Sequence, residues 1–194
     1  MNNRNWIVLF IGGASGTGKS TLAYQIAEHY SINVMEIDDI HQIIKAITTS
    51  ENYPAIHYWK TGINWMDIGV DKNVEWLKNV SKEMIIGIKA IVDRHIEDKV
   101  PIILEGDFIN PDIILSFDNP NIKTIFINEM DKNQLLKNYL DREGGELQNY
   151  RADISVKYNE WLINCCNNLG IKYLESRPWN TLLKRAIEYL DLDT

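Results

Sequence analysis

The chain is expected to fold as an α/β domain of three αβα layers, with a mainly parallel five-stranded sheet between two layers of helices. Three observations carry that expectation. Short apolar runs alternate with stretches of helical period along the chain. The runs are short and mostly apolar rather than apolar at every second residue, as strands covered on both faces are. The first run passes through a cluster of glycines directly into an amphipathic helix. With 194 residues, 45% hydrophobic and 24% charged, the chain suits one domain that buries its core without disulfides. We expect a single domain over residues 1–194, with a substrate-binding insertion at about 49–98 and a helical lid at about 142–152.

The strands are expected at 7–11, 33–37, 101–105, 123–128 and 172–175. Helices are expected at 19–30, after the glycines, and at 40–48, with Asp39 as cap before Ile40. A long one at 72–98 carries Leu77, Val80, Met84, Ile88 and Ile91 on one stripe. The next, at 132–142, follows the capping residue Asp131. Another, at 154–169, stops at Gly170, and a last one spans 179–190. Two stretches stay irregular: 49–70, rich in aromatics, and 143–150, with Gly144 and Gly145. Long irregular stretches in compact domains tend to carry function.

Net charge is −7, and the cationic residues form no run. That balance argues against nucleic-acid and anionic-membrane partners. The first apolar run, 6–11, is too short for a membrane span. Adjacent Cys165 and Cys166 have no metal-ligand spacing and suit a reducing compartment, so a cytoplasmic monomer or homodimer is expected.

Gly13, Ala14, Ser15, Gly16, Thr17, Gly18, Lys19 and Ser20 match G-x-x-x-x-G-K-[ST] without a mismatch, between a strand and a helix. Glycines let backbone N–H groups turn inward around an anion, and the helix N-terminus adds its dipole. Lys19 reaches the β- and γ-phosphates, and the Ser20 hydroxyl suits Mg²⁺. Together with Thr21, these residues are expected to bind ATP, which makes the chain a P-loop NTPase by motif. A guanine-reading N-K-x-D is missing: Asn128, Glu129, Met130 and Asp131 carry Glu for Lys. No transporter signature is present either. A small-molecule kinase remains, with a small-molecule acceptor.

Four positions then make chemical sense together. Asp38, just past the second strand, faces the phosphate loop across the crevice and suits a proton acceptor for the attacking hydroxyl. Glu105 ends the third strand, where a carboxylate orders the Mg²⁺ shell, and Asp107 can share that task. Arg142 and Arg151 flank the Gly-Gly stretch and suit a flap closing over the transferring phosphate. Arg177, after the last strand, borders the expected base pocket, whereas Trp179 is expected to pack under the last helix. His57, Trp59, Asp107, Arg151 and Asp38 are candidates for the acceptor side.

The loop from Ile11 to Thr21, Asp38, the stretch 88–94 and Ile103, Leu104, Glu105 and Gly106 together resemble the 2-phosphoglycerate kinase-like P-loop kinases. The same core is similar to chloramphenicol phosphotransferase and zeta-toxin kinases. That resemblance implies a sheet order of 2-3-1-4-5, ATP and Mg²⁺ served by Lys19 and Ser20, and Asp38 as base or acceptor ligand. The chain departs from it after Gly106, where Asp107 to Pro111 replace a His-containing stretch. The acceptor is therefore not carried over. The expected activity is transfer of the γ-phosphoryl group to a hydroxyl of a metabolite, sugar or antibiotic. The alternatives are a nucleoside or nucleotide kinase and a nucleotide-dependent regulatory protein with little turnover.

Overall fold

The computed structural model describes residues 4–58, 62 and 64–191. Five strands form one parallel sheet in the order β2-β3-β1-β4-β5, the order that the resemblance implies. β1 (Val8–Gly12) is central, flanked by β3 (Ile102–Gly106) and β4 (Ile122–Asn128), with β2 (Asn33–Glu36) and β5 (Tyr173–Glu175) at the edges. Val8 lies in register with both Ile102 and Ile122. Every residue of β1 and β3 is buried; β1 is apolar throughout, as strands covered on both faces are, and β3 departs from that only at Glu105.

Successive side chains of β1 point to opposite layers. Val8 and Phe10 join Leu104 and Phe126 in a core completed by α2 (Ile37–Ile47), α3 (Val70–Asp98) and α6 (Asn149–Leu169). Leu9 and Ile11 join Ile103 and Ile127 in a second core, closed by Leu22 and Ile26 of α1 (Lys19–Tyr30) and Leu182 of α7 (Trp179–Asp191). The sheet thus separates two dry layers, and truncating one of its large members such as Phe10 to Ala would cost about 3–5 kcal/mol. A smaller cluster, Leu135, Leu136, Tyr139 and Ala152, packs α5 (Lys132–Glu143) on α6.

Several boundaries differ from the sequence expectation. The second strand stops at Glu36, and Ile37 is already helical. Asp39 is therefore not a cap: Glu36 holds the N-cap position of α2, and both aspartates lie in the first turn. Gly106 makes this junction possible, because a Cβ there would come 2.9 Å from the Ile37 Cβ. One short helix was not foreseen, α4 (Pro111–Ile114), in which the Asn110 side chain accepts from the Ile113 N–H and Pro111 begins the turn. α6 begins at Asn149, so Tyr150 and Arg151 are helical, and only residues 144–148 connect it to α5. Asp131 does cap α5, accepting from the N–H groups of Asn133 and Gln134.

The aromatic stretch after α2 is tied to α3 where it is described. Both Glu83 carboxylate oxygens accept backbone N–H groups, from Ala55 and Ile56, at 3.0 Å each. The Trp76 indole donates to the Ala55 carbonyl at 2.8 Å. No helix among the described residues is long and apolar enough to cross a membrane.

Candidate active site

The phosphate loop joins the buried end of β1 to the start of α1, and the packing around it turns its carbonyls outward. The Thr17 hydroxyl donates to the Ala14 carbonyl at 2.9 Å. From α5, the Tyr139 hydroxyl donates to the Ser15 carbonyl at 2.9 Å and the Asn138 amide to the Gly16 carbonyl at 2.8 Å. These bonds occupy the carbonyls of Ala14, Ser15 and Gly16, and the Thr17 N–H also closes on Ala14, at 3.3 Å, which shapes the turn as a cradle that an anion would fill. Gly18, at φ 90°, caps α1 without a side chain, and the ring of Trp179 lies against it where a Cβ would stand. α1 has no acidic residue in its first turn to compete with an anion.

Acidic groups converge on Lys19 at the mouth of this cradle. Lys19 is buried and ion-paired with Asp107. Burial opposes its charge, but Asp107, Glu105 and Asp38 outweigh that and hold the ammonium above its ordinary value. Glu105 is 3% exposed. Burial raises its carboxyl, against Lys19 and a hydrogen bond from Ser20, which pull it back. Its Oε2 has no hydrogen-bond partner among the described residues. Asp38 is open to the cleft yet hemmed in by protein, and that desolvation, with the neighbouring Asp107, raises its carboxyl to about 6. Lys19 acts in the opposite direction and leaves the net shift upward.

Beside the loop lies a cavity of about 370 Å³. Ala14 and Ser15 form its edge with Asp107, and Trp65, Trp76, Leu77, Ile154 and Tyr158 supply an apolar wall. Arg151 links cavity and loop: its guanidinium donates to the Ser15 hydroxyl at 2.7 Å and to both Glu143 oxygens at 2.9 Å. It also stacks on the Tyr139 ring, 4.4 Å from the centroid. Gln148, Arg142 and Arg151 together hold the Glu143 carboxyl down at about 2.

The geometry can be set beside known proteins. No family model matches the chain. It is 24% identical over 184 residues to a 2-phosphoglycerate kinase of Methanocaldococcus jannaschii, covering 89% of this chain and 59% of that protein. It is 30% identical over 113 residues to a 2-phosphoglycerate kinase of Methanopyrus kandleri, covering 56% of this chain and 34% of that protein. The chain thus spans well under two thirds of the length of these relatives. Among solved structures, a gluconokinase from Sinorhizobium meliloti 1021 superposes with a TM-score of 0.58 at 16% identity, over 97% of this chain and 93% of that one. The fold is that of the P-loop kinases. The suspected likeness to small-molecule kinases of this group holds in sequence through the first two relatives and in fold through the third.

Within this kinase fold, the sequence candidates are distributed unevenly. Gly13 to Ser20, Asp38, Glu105 and Asp107 come together around the loop. Thr21 follows in α1, exposed. Arg151 reaches the loop, whereas Arg142 is exposed and paired with its neighbour Glu143. The Arg177 guanidinium donates to buried Glu129 at 2.7 and 2.8 Å and to Asp131 at 3.4 Å, and Arg177 lines a separate cavity with Met130 and Ser176. Trp179 sits on the phosphate loop rather than only under its own helix. His57 is not on the cavity wall. It is 1% exposed, with Nε2 at 3.0 Å from the Thr48 hydroxyl. Trp59 lies outside the described residues. Sequence reasoning overlooked Trp76, Tyr158, Asn138 and Tyr139, because helix-borne aromatics and amides look the same whether they face a core or a site. Their one available signal was position, Trp76 inside the candidate insertion and the other three on the helices that precede and follow the candidate lid.

Proposed function

We propose that the chain is an ATP-dependent phosphotransferase that moves the γ-phosphoryl group to a hydroxyl of a small molecule in the cytoplasm. The observation that carries this reading is the junction at Asp107, where phosphate loop, carboxylates and cavity share one wall. A phosphate seated in the loop would lie at one side of that junction and an acceptor in the cavity at the other.

The chemistry follows from the groups present. The loop amides and Lys19 hold the β- and γ-phosphates and neutralise charge that shifts toward the leaving oxygen. Asp38, ionised above about pH 6, accepts the proton of the acceptor hydroxyl as its oxygen approaches the phosphorus. Arg151 can exchange Glu143 for a phosphoryl oxygen, since a dianion competes well with one carboxylate. The unpartnered Glu105 Oε2 and the Ser20 hydroxyl beside it fit Mg²⁺ held through water and phosphate. Such an ion would offset phosphate charge. The region 49–98 would supply the acceptor wall and 142–152 the closing segment.

The test is ADP formation from Mg-ATP across a panel of acceptors that includes nucleosides and nucleoside monophosphates. Acceptor-stimulated turnover is expected, with transfer to an alcohol. ATP binding without any acceptor-stimulated turnover would refute the enzyme reading in favour of a regulatory protein.

A further inference from the structure

The cavity beside the loop has polar residues on its wall, but their hydrogen-bonding groups are spent on each other. The Asn73 amide donates to the carbonyls of Trp65 and Gly69 at 2.8 and 2.9 Å. Gln148 donates to Glu143 at 2.7 Å and accepts from Arg151 at 2.9 Å. The Ser155 hydroxyl is 2.7 Å from that of Tyr139. The Tyr158 hydroxyl donates to the Asp107 carbonyl at 3.1 Å, and the Trp76 indole N–H is bonded to Ala55. What these aromatic residues offer an occupant is ring surface.

Charge on the wall is balanced in the same way. Arg151 and Asp107 are the charged residues among the described lining, and each has an opposite partner, Glu143 and Lys19. A phosphorylated or carboxylated acceptor would enter beside the ATP phosphates with no unpaired cation to meet it. With ATP bound, Lys19 serves the β- and γ-phosphates and Arg151 the transferring group, so an anionic acceptor would find no cation of its own and would face the Asp107 carboxylate. A polyol would leave most of its hydroxyls without partners. A flat apolar body loses nothing by entering and gains contact with Trp65, Trp76 and Leu77.

We infer that the acceptor is an uncharged alcohol with a flat apolar or aromatic body, which lies against Trp65 and Trp76 and presents its hydroxyl at Ser15 and Asp107. This rests on the phosphotransferase reading for the direction of the hydroxyl, but not for the binding itself. It separates this chain from the anionic acceptor named for its sequence relatives.

Binding can be measured apart from turnover, by calorimetry on the full chain with Mg²⁺ and a non-hydrolysable ATP analogue. The probes are phenylethanol, phenylglycerol and naphthylethanol, against phosphoglycerate, glycerate and gluconate. The aromatic alcohols are expected to bind at least tenfold more tightly than the anions, with little dependence on salt. Trp65→Ala, at an exposed ring, should weaken them on the order of tenfold. Leu77→Lys adds a cation to the wall and should lower alcohol binding while creating binding for glycerate. Tighter binding of the anions, or binding of neither class, overturns the inference. Transfer of phosphate to an anion would then leave the phosphotransferase reading intact. Alcohols that bind as stated but receive no phosphate would uphold the cavity assignment and sink the phosphotransferase reading.

Discussion

Asp38→Asn separates chemistry from binding and stability in one variant. A carboxyl with a pKa of about 6 is roughly nine-tenths ionised at pH 7 and about one-tenth ionised at pH 5. If Asp38 takes the proton, kcat/KM of the native protein should fall about tenfold between those values. At its ordinary value of 3.8 the same group would stay ionised throughout and leave the profile flat. Asparagine keeps the shape but not the basicity, so kcat should drop on the order of 10²–10⁴-fold, with ATP affinity nearly unchanged. The stability effect has the opposite sign. A raised carboxyl favours the fold below its ordinary value, and that contribution is lost as pH rises through about 6. At pH 7 the ionised Asp38 repels Asp107 and Glu105, so Asp38→Asn should melt no lower than the native protein. The assays are coupled ADP release from pH 5 to 8, direct ATP titration and thermal melting, with exposed Asp39→Asn as control. Full kcat in Asp38→Asn, or the same acid limb in that variant, would refute the reasoning.

Other outcomes follow from the same geometry. Lys19→Ala should abolish transfer and weaken ATP binding in a folded protein, and full activity in a well-folded variant would contradict the role of the loop. Tyr139→Phe leaves the Ser15 carbonyl and Ser155 hydroxyl short of a partner. It should cost about 1–3 kcal/mol in denaturant melts and raise the KM for ATP; an unchanged KM would mean that the loop holds its shape without α5. Gly18→Ala drives a methyl group into the Trp179 ring at a left-handed backbone position, so stability and ATP binding should fall together. A variant that binds ATP normally would show that Trp179 moves away at little cost. Hydrogen exchange across 144–148 should slow when ATP and acceptor bind, and no change would return that segment to a plain connection.

The parts of this molecule that repeat a local rule were legible in the sequence. Buried parallel strands are apolar at most positions, so β1 and β3 were placed within a residue. The glycine loop is a covalent pattern, and Asp131 and Gly170 mark helix ends by their own backbone chemistry. What failed depended on packing between distant segments. Ile37 reads as the end of a strand, and only the missing side chain at Gly106 lets it begin a helix. The partner of Arg177 was not legible either: Glu129, buried just past the end of β4, meets it only in the fold. The cavity wall was half seen, in Trp65, and half hidden, in Trp76 and Tyr158, whose spacing on α3 and α6 matches that of core residues. A four-residue helix such as α4 is too short for any period to announce it.

The strand-to-helix junction at Ile37 has no slack in it, and Asp38 inherits that rigidity. One residue added between Glu36 and Ile37 would turn every later position of α2 by about 100° about its axis. That rotation would aim the carboxylate away from the cleft, even where the added residue is neutral and leaves the net charge untouched. A side chain at position 106 would push on the same turn from the neighbouring strand. The aim of the reacting group is therefore set by an atom that is absent from the strand next to the one that feeds the loop, and a scan of substitutions should find Gly106 as intolerant as Lys19.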